Sequence, residues 1–322
     1  MLMTKPVSDF RLGMAFAIGS ALTFGMSGPF AKALMDAGWS PTAAVTARLA
    51  GGALILAIVA TAVRPHWAAE ALRHARTILL YGAIPVAGAQ LCYYNAVSHM
   101  SVGVALLLEY TAPILVVGWL WATTRRRPSG RRLAGVALAI AGIILVLNVF
   151  GGDGAYIDTT GVIWGLAAAV CAACYFVMSA KVSGSTEDGG LNTLTLATAG
   201  LLVGGAAVAA LGVFGVMPLT FTTNQTVIAG IATPWFVPVL ALGLISTAMA
   251  YTLGINAVTR LRPGFASLVG LSEVLFAVLW AWLFVGQAMT PIQAIGGVVV
   301  LAGLALARED DKSDHTSAAQ LS

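Results

Sequence analysis

Ten apolar stretches, each close to the length needed to cross a bilayer, follow one another along this chain with short polar breaks between them. Crossing about 30 Å of hydrocarbon takes about 20 apolar residues in a helix, the one single-segment structure that satisfies its own backbone hydrogen bonds. The stretches run approximately Leu12–Leu34, Thr42–Val63, Ile78–Ser98, Val102–Thr123, Leu133–Phe150, Gly161–Lys181, Leu191–Val213, Val237–Val258, Pro263–Val285 and Pro291–Ala307. Glycine, proline and arginine clusters punctuate them, at 38–41, 125–130, 151–154 and 260–263. Residues 214–236 carry no charge but contain Pro218, Asn224 and Pro234, and read as a long loop with room for an interfacial segment.

The charge content removes the soluble alternative. Only 9% of the residues are charged and the mean hydropathy is +0.89, whereas a soluble domain carries about 25% charged residues to wet its surface. The 36 glycines are scattered through the apolar stretches, where small residues let membrane helices approach closely. Cys92, Cys171 and Cys174 also lie in apolar stretches. Cys171 and Cys174 form a CxxC, but on a helix they are simply neighbours one turn apart, with neither a disulfide framework nor a zinc set around them. The first stretch, with Lys5 and Arg11 before it and Ala31-Lys32-Ala33 near its end, has the flanks of a signal peptide. Its length exceeds a signal core, so it is read as a permanent helix.

Basic residues orient the chain. With the N-terminus in the cytoplasm, fifteen of the seventeen lysines and arginines fall in cytoplasmic segments, and the other two, Lys32 and Arg48, lie within helices. Both termini are therefore expected in the cytoplasm, in a multi-pass protein of the cell (inner or plasma) membrane. The end of the chain, 308–322, is polar and is expected to be a disordered tail.

The two halves repeat. At an offset of 161 residues Asn95-Ala96-Val97 returns as Asn256-Ala257-Val258, and Gly103, Ala105 and Leu107 return as Gly264, Ala266 and Leu268. Val117, Trp119 and Trp121 meet Val278, Trp280 and Trp282, while Gly135, Ala141 and Gly142 meet Gly296, Ala302 and Gly303. Gly13 and Gly161 start the first helix of each half at a smaller offset. Five helices per repeat is an odd number, so the second repeat enters the membrane inverted. The expected fold is all-α: ten transmembrane helices as two inverted five-helix repeats, 1–150 and 151–307, around a central cavity. Inverted repeats are a recurrent transporter architecture, with the substrate held near the midplane between them.

The run Leu106-Leu107-Leu108-Glu109-Tyr110-Thr111-Ala112-Pro113, the Arg125–Pro128 loop, Leu271-Ser272-Glu273, Trp282 to Gln287 and Thr290-Pro291-Ile292-Gln293 resemble EamA-domain proteins of the drug/metabolite transporter superfamily. The resemblance is nearest to threonine/homoserine-type exporters and covers the chain from the first span through Ala307. It implies two EamA repeats and the export of amino acids or small metabolites. Two positions depart from the family's pattern. Val274 stands where a proline usually follows the glutamate, and Gln287 stands where an acid is common after the glycine.

Ionisable groups inside spans are Lys32, Arg48, Glu109 and Glu273. Each costs about 2.5–3.5 kcal/mol at the bilayer centre on insertion scales and belongs in a cavity or beside a partner. Arg48 and Glu109 both lie roughly 10 Å below one surface, so they are placed either to pair or to meet a substrate's carboxylate and ammonium. Glu109 and Glu273 are candidate proton carriers. Lys32 reads as a snorkelling residue with Asp36 nearby. Gln90, Tyr94 and Tyr110 in the first half, with Trp164, Tyr175 and Tyr251 in the second, complete a candidate pocket whose aromatic faces suit a cation or an apolar side chain. Asn95 and Asn256 read as capping residues, Trp280 and Trp282 as packing or belt residues, and His99 as an exposed loop residue.

The expected function is that of a secondary transporter exporting small amino acids or related metabolites by alternating access. A permease of other substrate or direction is the alternative. No Walker or GxGxxG loop, metal motif or triad is present in the sequence, so no cofactor, nucleic-acid partner or enzymatic reaction is expected. An intramembrane lipid-modifying enzyme would need paired acids or a metal set at one depth, which Glu109 and Glu273 do not supply.

Overall fold

A computed structural model describes residues 7–125, 127–147, 158–184, 191–261 and 269–319. Gly151 to Gly154, Asp153, Arg262 and the repeat matches at Gly264, Ala266 and Leu268 lie outside them. Nearly all of the described chain is helical. The helices are α1 (Val7–Gly25), α2 (Ser27–Asp36), α3 (Pro41–Val63), α4 (Trp67–Arg73), α5 (Ala75–Tyr81), α6 (Ala89–His99), α7 (Val102–Glu109), α8 (Ala112–Thr124), α9 (Gly130–Val146), α10 (Thr159–Gly184), α11 (Thr193–Val213), α12 (Phe236–Gly243), α13 (Ala250–Arg260), α14 (Ser272–Val285) and α15 (Pro291–Ala319). Two π-helical segments, Gly82–Gly88 and Leu244–Met249, join α5 to α6 and α12 to α13.

Six helical runs among the described residues are long and apolar enough to cross a membrane: Phe10–Asp36, Pro41–Val63, Ala75–His99, Val102–Thr123, Thr193–Val213 and Phe236–Ala257. Shorter apolar helices occupy Thr159–Tyr175, Ser272–Val285 and Pro291–Ala307. Leu54, Ile58, Trp119, Leu240 and Val298 stay more than half exposed, as lipid-facing side chains do. The chain is an all-α, multi-pass membrane protein.

Several runs are broken where the sequence withholds a backbone donor. Pro29, Pro85 and Pro113 cannot bond to the carbonyls four residues back, and the breaks fall at Met26, in the first π-helix and at Tyr110-Thr111. The second π-helix has no proline. There the Thr247 hydroxyl donates to Leu242 O, five residues back, at 2.8 Å. The break before α14 forms although Val274 replaces the family's proline. Ser272 Oγ donates to Val269 O at 2.6 Å, and Thr111 Oγ1 donates to Leu108 O at 2.7 Å at the first-half break. Each hydroxyl offers the carbonyl an alternative to the helical ladder.

Glycines set the closest helix contacts. A β-carbon at Gly135 would lie 2.6 Å from Gly303 O, and one at Gly142 would lie 2.8 Å from Gly296 O. Since 135 meets 303 and 142 meets 296, α9 and α15 run antiparallel. Four other close approaches come in two matched pairs. Gly204 packs on the Gly82 carbonyl and Gly243 on Gly51, with added β-carbons 3.0 Å and 3.2 Å away. Gly13 packs on Arg260 and Gly161 on His99, each at 2.9 Å from the partner's Cβ. Gly82 and Gly243, like His99 and Arg260, stand 161 residues apart.

One expectation is corrected. Residues 214–236 contain a β-hairpin, β1 (Thr226–Ile228) paired antiparallel with β2 (Ile231–Thr233), in the register Thr226↔Thr233. Its two-residue turn, Ala229-Gly230, has positive φ at both positions (53° and 75°), the geometry that matches the strands' twist. At the other end of the chain α15 runs through Ala319.

Candidate functional site

Among the described residues, Arg48 is the one charged side chain that is fully buried, 3% exposed. Its depth follows from the start of α3: Ser40 caps the helix by accepting the Ala43 N–H at 3.2 Å, and Pro41 begins it. Two turns in, the guanidinium meets three other elements. Nη1 donates to Ser27 Oγ on α2 (2.5 Å), to Gln90 Oε1 on α6, and to Tyr94 Oη on α6 (3.3 Å). Nε donates to Thr247 Oγ1 (3.3 Å) and Nη2 reaches Ser246 O (3.5 Å), both in the second π-helix. Ser27 and Tyr94 bond to each other at 3.0 Å, and the guanidinium lies 5.8 Å from the centre of the Tyr94 ring.

Every acceptor in this cage is neutral. The Arg48–Glu109 salt bridge that the matching depths allow is not formed, because neutral oxygens already surround the guanidinium. Ion pairs among the described residues are Lys32–Asp36, as expected, and His99–Asp158 at 2.7 Å. His99 is therefore engaged rather than merely exposed. Glu109 and Glu273 remain within electrostatic range of Arg48 and of each other. A buried cation facing only neutral partners keeps its attraction for an anion that enters the site.

Glu273 lies in the first turn of α14, where free N–H groups favour negative charge. The Tyr110 hydroxyl donates to Glu273 Oε2 at 2.8 Å, and Gly270 O lies 3.2 Å from the same hydroxyl. Glu109 ends α7, and Pro113 leaves its carbonyl without a helical donor. The two acids thus flank two helix breaks, with Tyr110 joining one break to the other.

Of the nine residues read from the sequence as a pocket, Arg48, Gln90 and Tyr94 form one direct cluster and Tyr110 with Glu273 a second. Tyr251 lies within electrostatic reach of Arg48 and packs edge-on against Phe24 at 5.2 Å. Trp164 packs against the main apolar core, and Tyr175 is 37% exposed with its ring on Tyr81. Ser27, Ser246 and Thr247 were missed. The signal available for them is a hydroxyl or a Ser-Thr pair inside an apolar span, and Ser246 and Thr247 become acceptors in the second π-helix while Ser27 does so at the start of α2.

Other residues settle into structural work. Asn95 and Asn256 each donate to the carbonyl four residues back, Leu91 O and Thr252 O. Gln287, standing where the family often has an acid, accepts the Val102 N–H at 3.0 Å and caps α7 from a distance. Cys92 on α6 and Cys171 on α10 are neighbours, and all three cysteines are free thiols.

The EamA-like transporter family model matches this chain twice, over residues 11–148 and 159–308. The threonine/homoserine exporter RhtA of Escherichia coli (strain K12) is 30% identical over 263 residues, which cover 80% of this chain and 78% of that one. The uncharacterized transporter YwfM of Bacillus subtilis (strain 168) is 24% identical over 311 residues, covering 94% and 96%. One solved crystal structure at 20% identity has the same fold, with a TM-score of 0.57 over 93% of this chain and 97% of that one. With two matches that together span most of its length, the chain belongs to the EamA-like transporter family.

Proposed function

We propose that the protein is a secondary transporter that exports small amino acids or related metabolites by alternating access. In this reading, ten helices form two inverted five-helix repeats, 1–150 and 151–307, around a central cavity, with both termini in the cytoplasm. The matched glycine contacts and the two π-helices at equivalent positions support the repeat. The charge distribution supports the orientation. Similarity to the threonine/homoserine exporter RhtA supports the substrate class. No reaction is assigned: the protein is a carrier, not an enzyme.

The observation that carries the reading is the buried Arg48 guanidinium held by neutral acceptors alone. A substrate carboxylate completes its charge, and Gln90, Tyr94, Ser246 and Thr247 orient it. Glu109 and Glu273, within electrostatic range, are placed to meet a substrate ammonium or to carry a proton. Trp164, Tyr175 and Tyr251 remain the aromatic candidates for the substrate's side chain. The test is efflux of labelled threonine, homoserine and other small amino acids from preloaded proteoliposomes, with and without a pH gradient. Protein-dependent efflux of any of them supports the reading, and efflux of none removes it. A rate that a pH gradient leaves unchanged removes proton coupling while keeping the carrier.

A further inference from the structure

Each half of the molecule contains the same mechanical sequence: a segment that leads into a spanning run, a π-helix within that run, and a contact from that segment onto the start of a helix in the other half. In the first half the segment is α4–α5, followed by the π-helix Gly82–Gly88. Glu70 on α4 reaches across to α11, a helix of 21 residues. Its Oε1 accepts the Asn192 N–H at 2.7 Å and its Oε2 accepts the Thr195 hydroxyl at 2.8 Å.

In the second half the segment is the 214–236 stretch with α12, followed by the π-helix Leu244–Met249. It reaches the start of α3. Thr220 N–H donates to Ser40 Oγ at 3.0 Å and Ser40 N–H to Thr220 O at 3.1 Å. Trp39 Nε1 donates to Thr222 O at 2.8 Å, and Thr222 Oγ1 and Asn224 Nδ2 both donate to Ala37 O, at 2.8 and 3.0 Å. Ser40 and Asn192 are the N-caps of the second helix of each half. One contact therefore mirrors the other at the opposite end of the molecule.

The two contacts differ in chemistry. The first is made by a carboxylate. Partial desolvation works to raise the Glu70 pKa, but the bonds from Asn192 and Thr195, with Arg64 and His74 nearby, hold the carboxylate below the ordinary glutamate range. The second contact is built from neutral groups throughout. π-Helical turns inside α-helices recur at functional sites because their ladder of hydrogen bonds is already broken and bends cheaply.

We propose that α4–α5 and the 214–236 segment with α12 are the two gates of the transport cycle. Each is hinged on its π-helix and latched on the N-cap of the other half, with a carboxylate latch on the cytoplasmic side and a neutral one on the outer side. The proposal rests on the transporter reading above. Release of the Glu70 latch opens the inner gate while the Ser40–Thr220 latch stays made, and release of the outer latch opens the other.

Hydrogen exchange on the purified protein, without substrate, tests the hinges and latches independently of what is carried. Glu70→Gln should raise exchange over 67–81 and 191–196 at least several-fold and leave 218–236 unchanged. Ser40→Ala should raise it over 218–224 and leave 67–81 unchanged. No change in either variant, or equal rises at both ends, overturns the proposal. A second arm bridges Glu70→Cys/Thr195→Cys with a short bis-methanethiosulfonate and measures efflux of whichever substrate the proteoliposome assay identifies. Bridging should cut the rate at least tenfold and a thiol reductant should restore it. Full transport by the bridged protein overturns the gate. Failure of amino-acid export alone would leave the exchange result standing, so the two readings fail separately.

Discussion

Tyr110 donates its hydroxyl proton to Glu273 Oε2 at 2.8 Å, joining the helix break of the first half to the first turn after the break of the second. A side-chain hydrogen bond between membrane helices contributes about 0.6–1.7 kcal/mol. Tyr110→Phe and Glu273→Gln should therefore each lower the thermal midpoint in detergent. Their effects should fall short of additive, with a coupling of about 1 kcal/mol in a double-mutant cycle. Strict additivity would show that the contact contributes nothing.

Arg48 offers a planar fork that touches three elements at once, and a lysine ammonium cannot reproduce it. Arg48→Lys should reduce initial efflux at least tenfold at equal protein level, and Arg48→Met should abolish it. Wild-type rates in Arg48→Met would remove the residue from the substrate site.

Gly142 and Gly303 lie where an added β-carbon meets backbone, at 2.6 Å from Val300 N and 2.5 Å from Ala139 N. Backbone cannot swing aside as a flexible side chain can. Gly142→Ala and Gly303→Ala should each cost about 1–3 kcal/mol, read as a lower midpoint in scanning fluorimetry. Gly118 has nothing within 4 Å of its added β-carbon. Gly118→Ala should be neutral or raise stability by about 0.5–1 kcal/mol.

Asp158 links the end of α6 to the start of α10, accepting from the Thr160 N–H at 2.9 Å and pairing with His99. Slight desolvation works to raise its pKa, but the bonds from His99 and Thr160 outweigh it and hold the value below the usual carboxylate range. With a depressed folded value, the contribution to stability is present above the unfolded value and is lost as pH falls through the folded one. Protection of the Thr160 amide from exchange, corrected for intrinsic rate, should fall on acidification through that window. Asp158→Asn should flatten the dependence. An unchanged profile in that variant would assign the effect to another group.

The membrane class and the family were legible because they rest on features with long reach: apolar runs, the placement of arginines, and motifs such as Leu271-Ser272-Glu273. Arg48 was legible as well, since a charge in an apolar span is costly wherever it ends up. Its partners were harder. Ser27, Ser246 and Thr247 differ little from the other hydroxyls of the spans, and only the π-helix turns the Ser246 carbonyl toward Arg48. Val274 left the kink expected beside Glu273 open, and the helix breaks there with Ser272 bonded to the Val269 carbonyl. The hairpin at 226–233 was hidden because the surrounding residues carry neither clear alternation nor a strong turn pair.

Hydrophobicity and charge act residue by residue, so the sequence alone determined that this chain lives in a bilayer and that its few buried ions need a reason to be there. Glycine spacing announced close helix contacts for the same local reason. Which glycine meets which, that Arg48 is satisfied by neutral oxygens and not by Glu109, and that Tyr110 reaches Glu273 were decided by tertiary structure. Those contacts span residues 21 to 199 apart in the chain for Arg48 and 163 apart for Tyr110. Contacts at such separations depend on how helices cross and where they break, and no local pattern encodes them.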